Sequence, residues 1–346
     1  MKKKLKRIAW GVLFVLLILA IWYHELLIYG INQGIGQAKI IWGARPITEV
    51  LEDKNITDSI KNKLRLIQEI KRFAEDSLGI NPTKNYTTFY DQKKKPLLWV
   101  VTACPPYELK AHEWTFGFLG KFSYKGHFEM QKALKDSAEL AQKGYDTDIG
   151  EVRAWSTLGW FKDPILSSML RASEGDLANL IIHELTHSTL YVKDDVDFNE
   201  NLASFIGDKG ALLFLERKFG KESKQYKNYI FENHDDSLFY EYVLKNTQTL
   251  KKLYESEEFK KMPDSQKKIK KEETISAIVS GLADQPFKKI RYNKARLAKF
   301  KPNNTFFMGY VRYRAKQTNF EEEFQQKFKG NLKNYLNFLK EKYPSL

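Results

Sequence analysis

The chain has 346 residues, with 57 Lys and Arg against 43 Asp and Glu, a net charge of +14 at pH 7. That length supports a substantial core in one large domain or two modest ones, and the single cysteine, Cys104, excludes an intramolecular disulfide. The lysines are spread along the chain without a nucleic-acid motif, so no nucleic-acid partner is expected, and the charge suits a surface near an anionic membrane or envelope polymer.

At the N-terminus Lys2, Lys3, Lys4, Lys6 and Arg7 precede an apolar run from Ile8 to Tyr23 that continues, past His24 and Glu25, to Tyr29. This is close to the roughly 20 residues a spanning helix needs, with Trp10, Trp22 and Tyr23 as interfacial anchors. Residues 1–7 read as a basic cytoplasmic tail and 8–28 as a transmembrane anchor, with the bulk of the chain outside. A cleaved signal peptide is the alternative, although no small-x-small cleavage site stands out after the run.

Residues 30–80 read as helical: Ile31 to Trp42, weakened by Gly34 and Gly36, then Asp58 to Leu78, stopped by Gly79. Tyr86 to Tyr90 and Leu97 to Ala103 read as strands, and Trp114 to Tyr124 has strand character. Cys104, in an apolar run before Pro105-Pro106, reads as buried packing. A helix is expected from about His127 to Lys143, then a strand from Thr147 to Thr157. Ala154, Trp155, Ser156, Thr157 and Leu158 are candidates for an edge strand that pairs with an extended peptide, because a strand edge offers unpaired N–H and C=O groups. An aromatic core strand is the competing reading.

The stretch from Leu177 to Tyr191 carries His183-Glu184-Leu185-Thr186-His187. On a helix, positions i and i+4 share a face, so both imidazoles can reach one ion at about 2.0–2.1 Å. Glu184 stands beside that face, where it can serve as general base. Ser173 and Asp176 have capping-box spacing, and Leu177, Leu180, Ile181, Leu185 and Leu190 recur at helical intervals. With six histidines in the chain, about one such sequence in a hundred would match by chance, which favours a metal site over two core histidines. A catalytic zinc needs a third protein ligand and one open position. A second helix starts near Asp197 after a short acidic connection, so it can fold back and turn Glu200 toward the histidines. Tyr191, one turn beyond His187, could support the cleft wall, though a buried helix tyrosine is the simpler reading.

From Phe198 onward the chain reads as helical, at about 198–219, 222–261 with a break near Asp235, 266–282, 305–317 and 319–341. The lysine pairs between Lys251 and Lys271 read as a wet helix face. Asn293-Lys-Ala295, Asn303-Asn304 and Tyr310-Val-Arg312-Tyr313 are candidates to return to the cleft.

The glutamate on a following helix is similar to the ligand logic of thermolysin-like zincins. More narrowly, Trp155-Ser-Thr-Leu-Gly-Trp-Phe-Lys-Asp-Pro164, the His183–His187 motif, Tyr191 and Phe198-Asn-Glu200-x-x-Ala203 resemble a family of predicted bacterial zinc aminopeptidases. The likeness runs from about Tyr29 to about Phe338 and is most specific between Trp99 and Gly210. It implies His183, His187 and Glu200 as ligands of one zinc ion and Glu184 as base. There are departures: Trp155 stands where the family usually has tyrosine, and no lipidation cysteine follows the apolar run. Ser204 stands where thermolysin-like enzymes place an aspartate that orients a ligand histidine, which leaves Asp208 as a candidate.

The expected fold is α+β and mainly helical: a zincin-like metallopeptidase with a small upstream β-sheet, the His helix, the glutamate helix and a helical C-terminal part. Residues 30–220 would form the catalytic region and 221–346 would complete the cleft. The expected function is zinc-dependent peptide hydrolysis, as an aminopeptidase, by a single-pass bacterial membrane protein with its catalytic part periplasmic or extracellular. A zinc hydrolase of another envelope amide or ester bond, and a non-catalytic metal-stabilised envelope protein, are the alternatives. An aminopeptidase also needs an acidic group for the substrate amine, and only Glu151, beside the proposed edge, suggests itself.

Overall fold

Helices carry most of the chain, and three small sheets lie between the first helices and the His helix. The computed structural model describes residues 22–116, 120–152, 162–193, 195–311 and 317–343, with scattered positions between residues 3 and 14. In chain order the elements are helix α1 (His24–Gly43), strand β1 (Arg45–Pro46), helices α2 (Ile47–Glu52) and α3 (Asp58–Ser77), and strands β2 (Thr88–Tyr90), β3 (Trp99–Cys104), β4 (Trp114–Thr115), β5 (Lys121–Phe122) and β6 (Lys125–His127). Helix α4 (Met130–Gln142), strands β7 (Asp146–Glu151) and β8 (Ile165–Leu166), and helices α5 (Glu174–His187) and α6 (Val196–Phe219) follow. The chain ends in helices α7 (Lys224–Glu255), α8 (Glu257–Lys261), α9 (Asp264–Gly281), α10 (Lys294–Leu297), α11 (Asn304–Val311), α12 (Gln317–Phe328) and α13 (Leu332–Lys342).

Strand β3 is the centre of the sheet that matters for the site. It runs antiparallel to β6 on one side and β7 on the other, with Trp99 opposite both His127 and Glu151. Its side chains alternate. Val101 and Ala103 are buried, whereas Val100 and Thr102 are half-buried and line a cavity on the other face. Of the expected edge strand, residues 154–158 lie outside the described residues. Cys104 is buried, as expected, and burial pushes its thiol up to about 12, which leaves it inert at neutral pH.

Two apolar clusters form the interior. The first joins α3, α5 and α6 through residues such as Ile67, Ile70, Ile181, Leu185, Leu202 and Ile206, and the last two helices add Phe324, Tyr335 and Leu339. The second gathers Val243, Leu250, Phe259, Ile275 and Phe307 around α7, α9 and α11. Chain order and core membership therefore differ, because α12 and α13 return past the second cluster to cover the first.

Helix α7 runs through Asp235, where a break was expected. The aspartate is fully buried and accepts backbone N–H bonds from Lys288, Lys289 and Ile290 at 2.7–2.8 Å. It holds the 288–290 loop rather than interrupting its own helix. Burial pushes its carboxyl up, but the three amides and His234 outweigh that and hold it at about 2. Because the folded value is depressed, its stabilisation is full above the unfolded value of about 4 and is lost as pH falls toward 2. Asp235→Ala is expected to cost about 2–4 kcal/mol at neutral pH, read by urea denaturation, with a smaller cost near pH 2.5. The expected single helix near 319–341 is instead two, α12 and α13, turned by Gly330 at φ +77°.

The described part of the N-terminal region begins with α1, which docks on the sheet. Tyr29 Oη and Gln33 Nε2 both donate to the Gly126 carbonyl, at 2.9 and 2.7 Å. Gly36, which reads as a helix-weakening residue, is where the Phe128 ring seats: a Cβ there would lie 2.2 Å from it. The opposite face is apolar and exposed, with Ile28, Ile31, Ile35 and Trp42 at helical spacing. Among the described residues no helix is long and apolar enough to cross a membrane, and most of residues 8–21 lie outside them.

Candidate metal centre

Helix α5 starts where the Ser-Glu-Gly-Asp sequence directs. The Ser173 side chain accepts from the Asp176 N–H at 3.1 Å, and Glu174 and Asp176 sit in the first turn, where the helix dipole favours acids. Leu177, Ala178, Ile181, Ile182 and Leu185 are fully buried, and this fixes the rotation of the helix. The neighbouring face then carries His183 and His187 one turn apart. Helix α6 starts at the Asp195 cap, whose carboxylate accepts from Phe198 N–H at 2.9 Å.

The connection between the helices is clamped by Asn199. This buried side chain donates to the Val192 carbonyl at 2.7 Å and accepts from the Val192 N–H at 2.8 Å. The residue after it is Glu200, so the clamp sets the position of that carboxylate relative to the His helix. Two glycines let α6 lie against α5 closely. A Cβ at Gly207 would stand 2.8 Å from Asn179 Oδ1, 3.1 Å from the Asn179 carbonyl and 3.3 Å from His183 Cβ. At Gly210 it would meet Ile182 and Leu78 at 2.8–3.0 Å.

The crossing brings three donors together. His183 and His187 Nε2 are 3.2 Å apart, and Glu200 carboxylate oxygens lie 3.5 Å from His183 Nε2 and 3.4 Å from His187 Nε2. Donors about 2.05 Å from one ion at the tetrahedral angle stand about 3.3 Å from one another. The triangle therefore fits one divalent ion, and its donor set, two imidazoles and a carboxylate, suits zinc. His187 is 5% exposed and forms the back of the site, while His183 at 18% and Glu200 at 34% leave the front open to solvent. Burial first, and then His183, push the His187 imidazole down to about 4, which favours the neutral form a metal ligand must take. Glu200 is held below its usual range, because both histidines outweigh the effect of burial.

Glu184 is half-buried beside this triangle. Burial pushes its carboxyl up to about 7, opposed by His183 and aided by Glu200 and Asp163. A carboxyl poised near neutrality can exchange a proton with water. Behind it stand Tyr86 and Asp163, which reading in sequence order does not connect to the motif. The Tyr86 N–H donates to the Asp163 carbonyl at 2.7 Å, and Asn85 Oδ1 accepts from Asp163 N–H at 3.1 Å. Fully buried Tyr86 has φ +59°, a left-handed backbone that costs a bulky residue about 1–3 kcal/mol. Asp163-Pro164 marks a turn in the sequence; nothing there marks Tyr86.

The other candidates divide. Tyr191 is half-buried, its ring centroid 6.1 Å from that of His187. Ala154, Trp155, Ser156, Thr157 and Leu158 lie outside the described residues. Asp208 accepts from Tyr229 at 3.1 Å and from Asn179 at 2.5 Å, on the same helix crossing. Among the described residues, His187 Nδ1 has no hydrogen-bond partner. Glu151 lies at the exposed end of β7.

A cavity of about 330 Å³ opens at Glu200, between Val100 on β3, Tyr124 before β6, Val196 and Asp197 at the start of α6, and Met308 on α11. Thus α11 does return to the cleft, but through Thr305, Met308 and Gly309. Asn303 and Asn304 hold it there. Asn304 bonds the Asp146 carboxylate, the Pro105 and Pro106 carbonyls and the Tyr254 hydroxyl. A larger cavity of about 640 Å³ lies at Tyr107, Lys271 and Phe300 on the second cluster. Its buried lysine is tied to Asp146, and the smaller cavity is the one of the two that Glu200 lines.

Fold and site together define a mainly helical protein in which two packed helices bring together three donors that could hold a metal ion, with the Glu184 carboxyl nearby. The chain belongs to the family described as "Putative aminopeptidase", whose model matches residues 28–342. No curated protein and no solved structure matches the chain.

Proposed function

We propose that the chain is a zinc-dependent peptide hydrolase that acts as an aminopeptidase. The observation that carries the proposal is the 3.2–3.5 Å donor triangle of His183, His187 and Glu200, with the Glu184 carboxyl near enough to feel the charges of His183 and Glu200. A bound zinc ion would supply Lewis acidity and lower the pKa of its water toward about 7. Glu184 takes a proton from the attacking water and returns it to the leaving amine. His183, His187 and Glu200 would hold the ion, and the Glu200 carboxylate would offset part of its charge. Dialysis against a chelator is expected to remove both bound zinc and peptide hydrolysis, and one equivalent of zinc restores both. Hydrolysis that survives complete metal removal would refute the assignment.

The exposed apolar stripe on α1 supports anchoring of the chain to a membrane through its N-terminal region, and the basic residues before the apolar run support a catalytic part outside the cytoplasm. The stripe follows directly on the apolar run that begins at Ile8. Full-length chain is expected in the membrane fraction after an alkaline carbonate wash. A chain starting at residue 44 is expected in the soluble fraction, and the same partition for both would exclude this anchor.

A further inference from the structure

We infer that Asp197 binds the α-ammonium group of the substrate, while the cavity beside it takes the side chain of the substrate's first residue, an apolar one. This rests on the peptidase reading above and names what that site would select.

Asp197 and Glu200 are three residues apart on α6, so their side chains leave the same helix face about 5–6 Å apart. Both line the 330 Å³ cavity. Glu200 turns toward the histidines; Asp197 is exposed, and among the described residues no salt bridge uses it. In a chain of net charge +14, an acid left without a basic partner at the mouth of a reactive cleft has its charge available to a ligand. The rest of the wall is largely apolar, built by Val100, Tyr124, Met308 and Gly309. The size is at the lower end for ligand sites, which suits one residue rather than a long peptide.

The separation decides which ammonium fits. In an N-terminal residue the amine and the carbonyl oxygen are joined through a single Cα and lie about 3 Å apart. With that carbonyl at the donor triangle, the amine falls within reach of a carboxylate one helical turn from Glu200. The Nζ of a lysine side chain stands about 6 Å from its own Cα, beyond this position. A free amine at Asp197 also leaves no room for a preceding peptide unit, so the inference makes the enzyme cut after the first residue. Glu151, the acid that sequence suggests, is not among the residues lining this cavity.

The test uses the full chain, Asp197→Asn and Asp197→Glu, with leucine-initiated and lysine-initiated peptides, each with a free or acetylated N-terminus. Calorimetric titration with leucinamide and measurement of bound zinc accompany the kinetics. The wild type is expected to cleave free leucine peptides at least about 100-fold better than acetylated ones. Asp197→Asn is expected to lower kcat/KM on free peptides by about 10–100-fold, as loss of a charge-assisted hydrogen bond implies. Leucinamide binding should weaken in parallel with zinc unchanged, and Asp197→Glu should recover part of both. Unchanged leucinamide binding in Asp197→Asn overturns the inference and leaves the aminopeptidase reading standing, whereas equal cleavage of acetylated peptides overturns both and leaves only a peptide hydrolase. A loss confined to lysine-initiated peptides overturns it too, because a side-chain ammonium would then be the partner. Failure of the wild type to hydrolyse any of these peptides removes the peptidase reading and the inference together.

Discussion

Glu184→Gln is expected to lower peptide hydrolysis by about 10²–10⁴-fold, the range that removal of a positioned general base produces, while bound zinc stays at its wild-type level. The substitution keeps the size of the side chain and removes only its capacity to take a proton. Glu184 is not part of the donor triangle, whose members are His183, His187 and Glu200, so affinity for the ion should change little. Rates at saturating peptide and metal content by mass spectrometry separate the two effects. A variant that loses zinc along with activity would mean that Glu184 holds the ion rather than moves protons. A variant that keeps its activity would mean that another group is the base.

Gly207→Val is expected to disrupt the site without replacing any of its donor side chains. A Cβ at this position meets the Asn179 carbonyl at 3.1 Å and His183 Cβ at 3.3 Å, and a branched residue adds two methyl groups in the same space. A backbone carbonyl cannot rotate away as a side chain can, so α6 must move off α5 and carry Glu200 with it. Overpacking of this kind costs about 1–3 kcal/mol, and the displaced ligand should weaken zinc binding by about 10–100-fold, as misplaced supports of metal ligands do. Gly34→Ala is the control: nothing lies within 4 Å of its Cβ, and alanine favours the helix by up to about 1 kcal/mol. Thermal melts and competition with a zinc chelator read both variants. Unchanged zinc affinity in Gly207→Val would show that close helix contact does not position Glu200.

The helical part of this site is legible in sequence for a physical reason. His183, Glu184 and His187 are local, and their geometry follows from the helix repeat; Glu200 follows because a short connection leaves the second helix few places to go. Ser173 announces the start of the first helix, and Gly79 and Gly144 mark helix ends with φ of +80° and +85°. What sequence order hides is set by contacts between distant segments. Tyr86 and Asp163 reach the surroundings of Glu184 from before the His helix, and Met308 reaches the cavity from the other end of the chain. Gly36 looks like a helix-weakening residue until the Phe128 ring that fills its missing side chain is known. Asp235 looks like a helix breaker because the loop it holds lies some fifty residues downstream.

The most direct test of the central claim is zinc K-edge X-ray absorption on the full-length chain loaded with the metal. The expected spectrum is one ion per chain with four nitrogen or oxygen neighbours at about 2.0–2.1 Å, including the outer-shell signature of two imidazoles, all lost in Glu200→Ala. A sulfur neighbour, a single imidazole, or a spectrum unaltered by Glu200→Ala would contradict it.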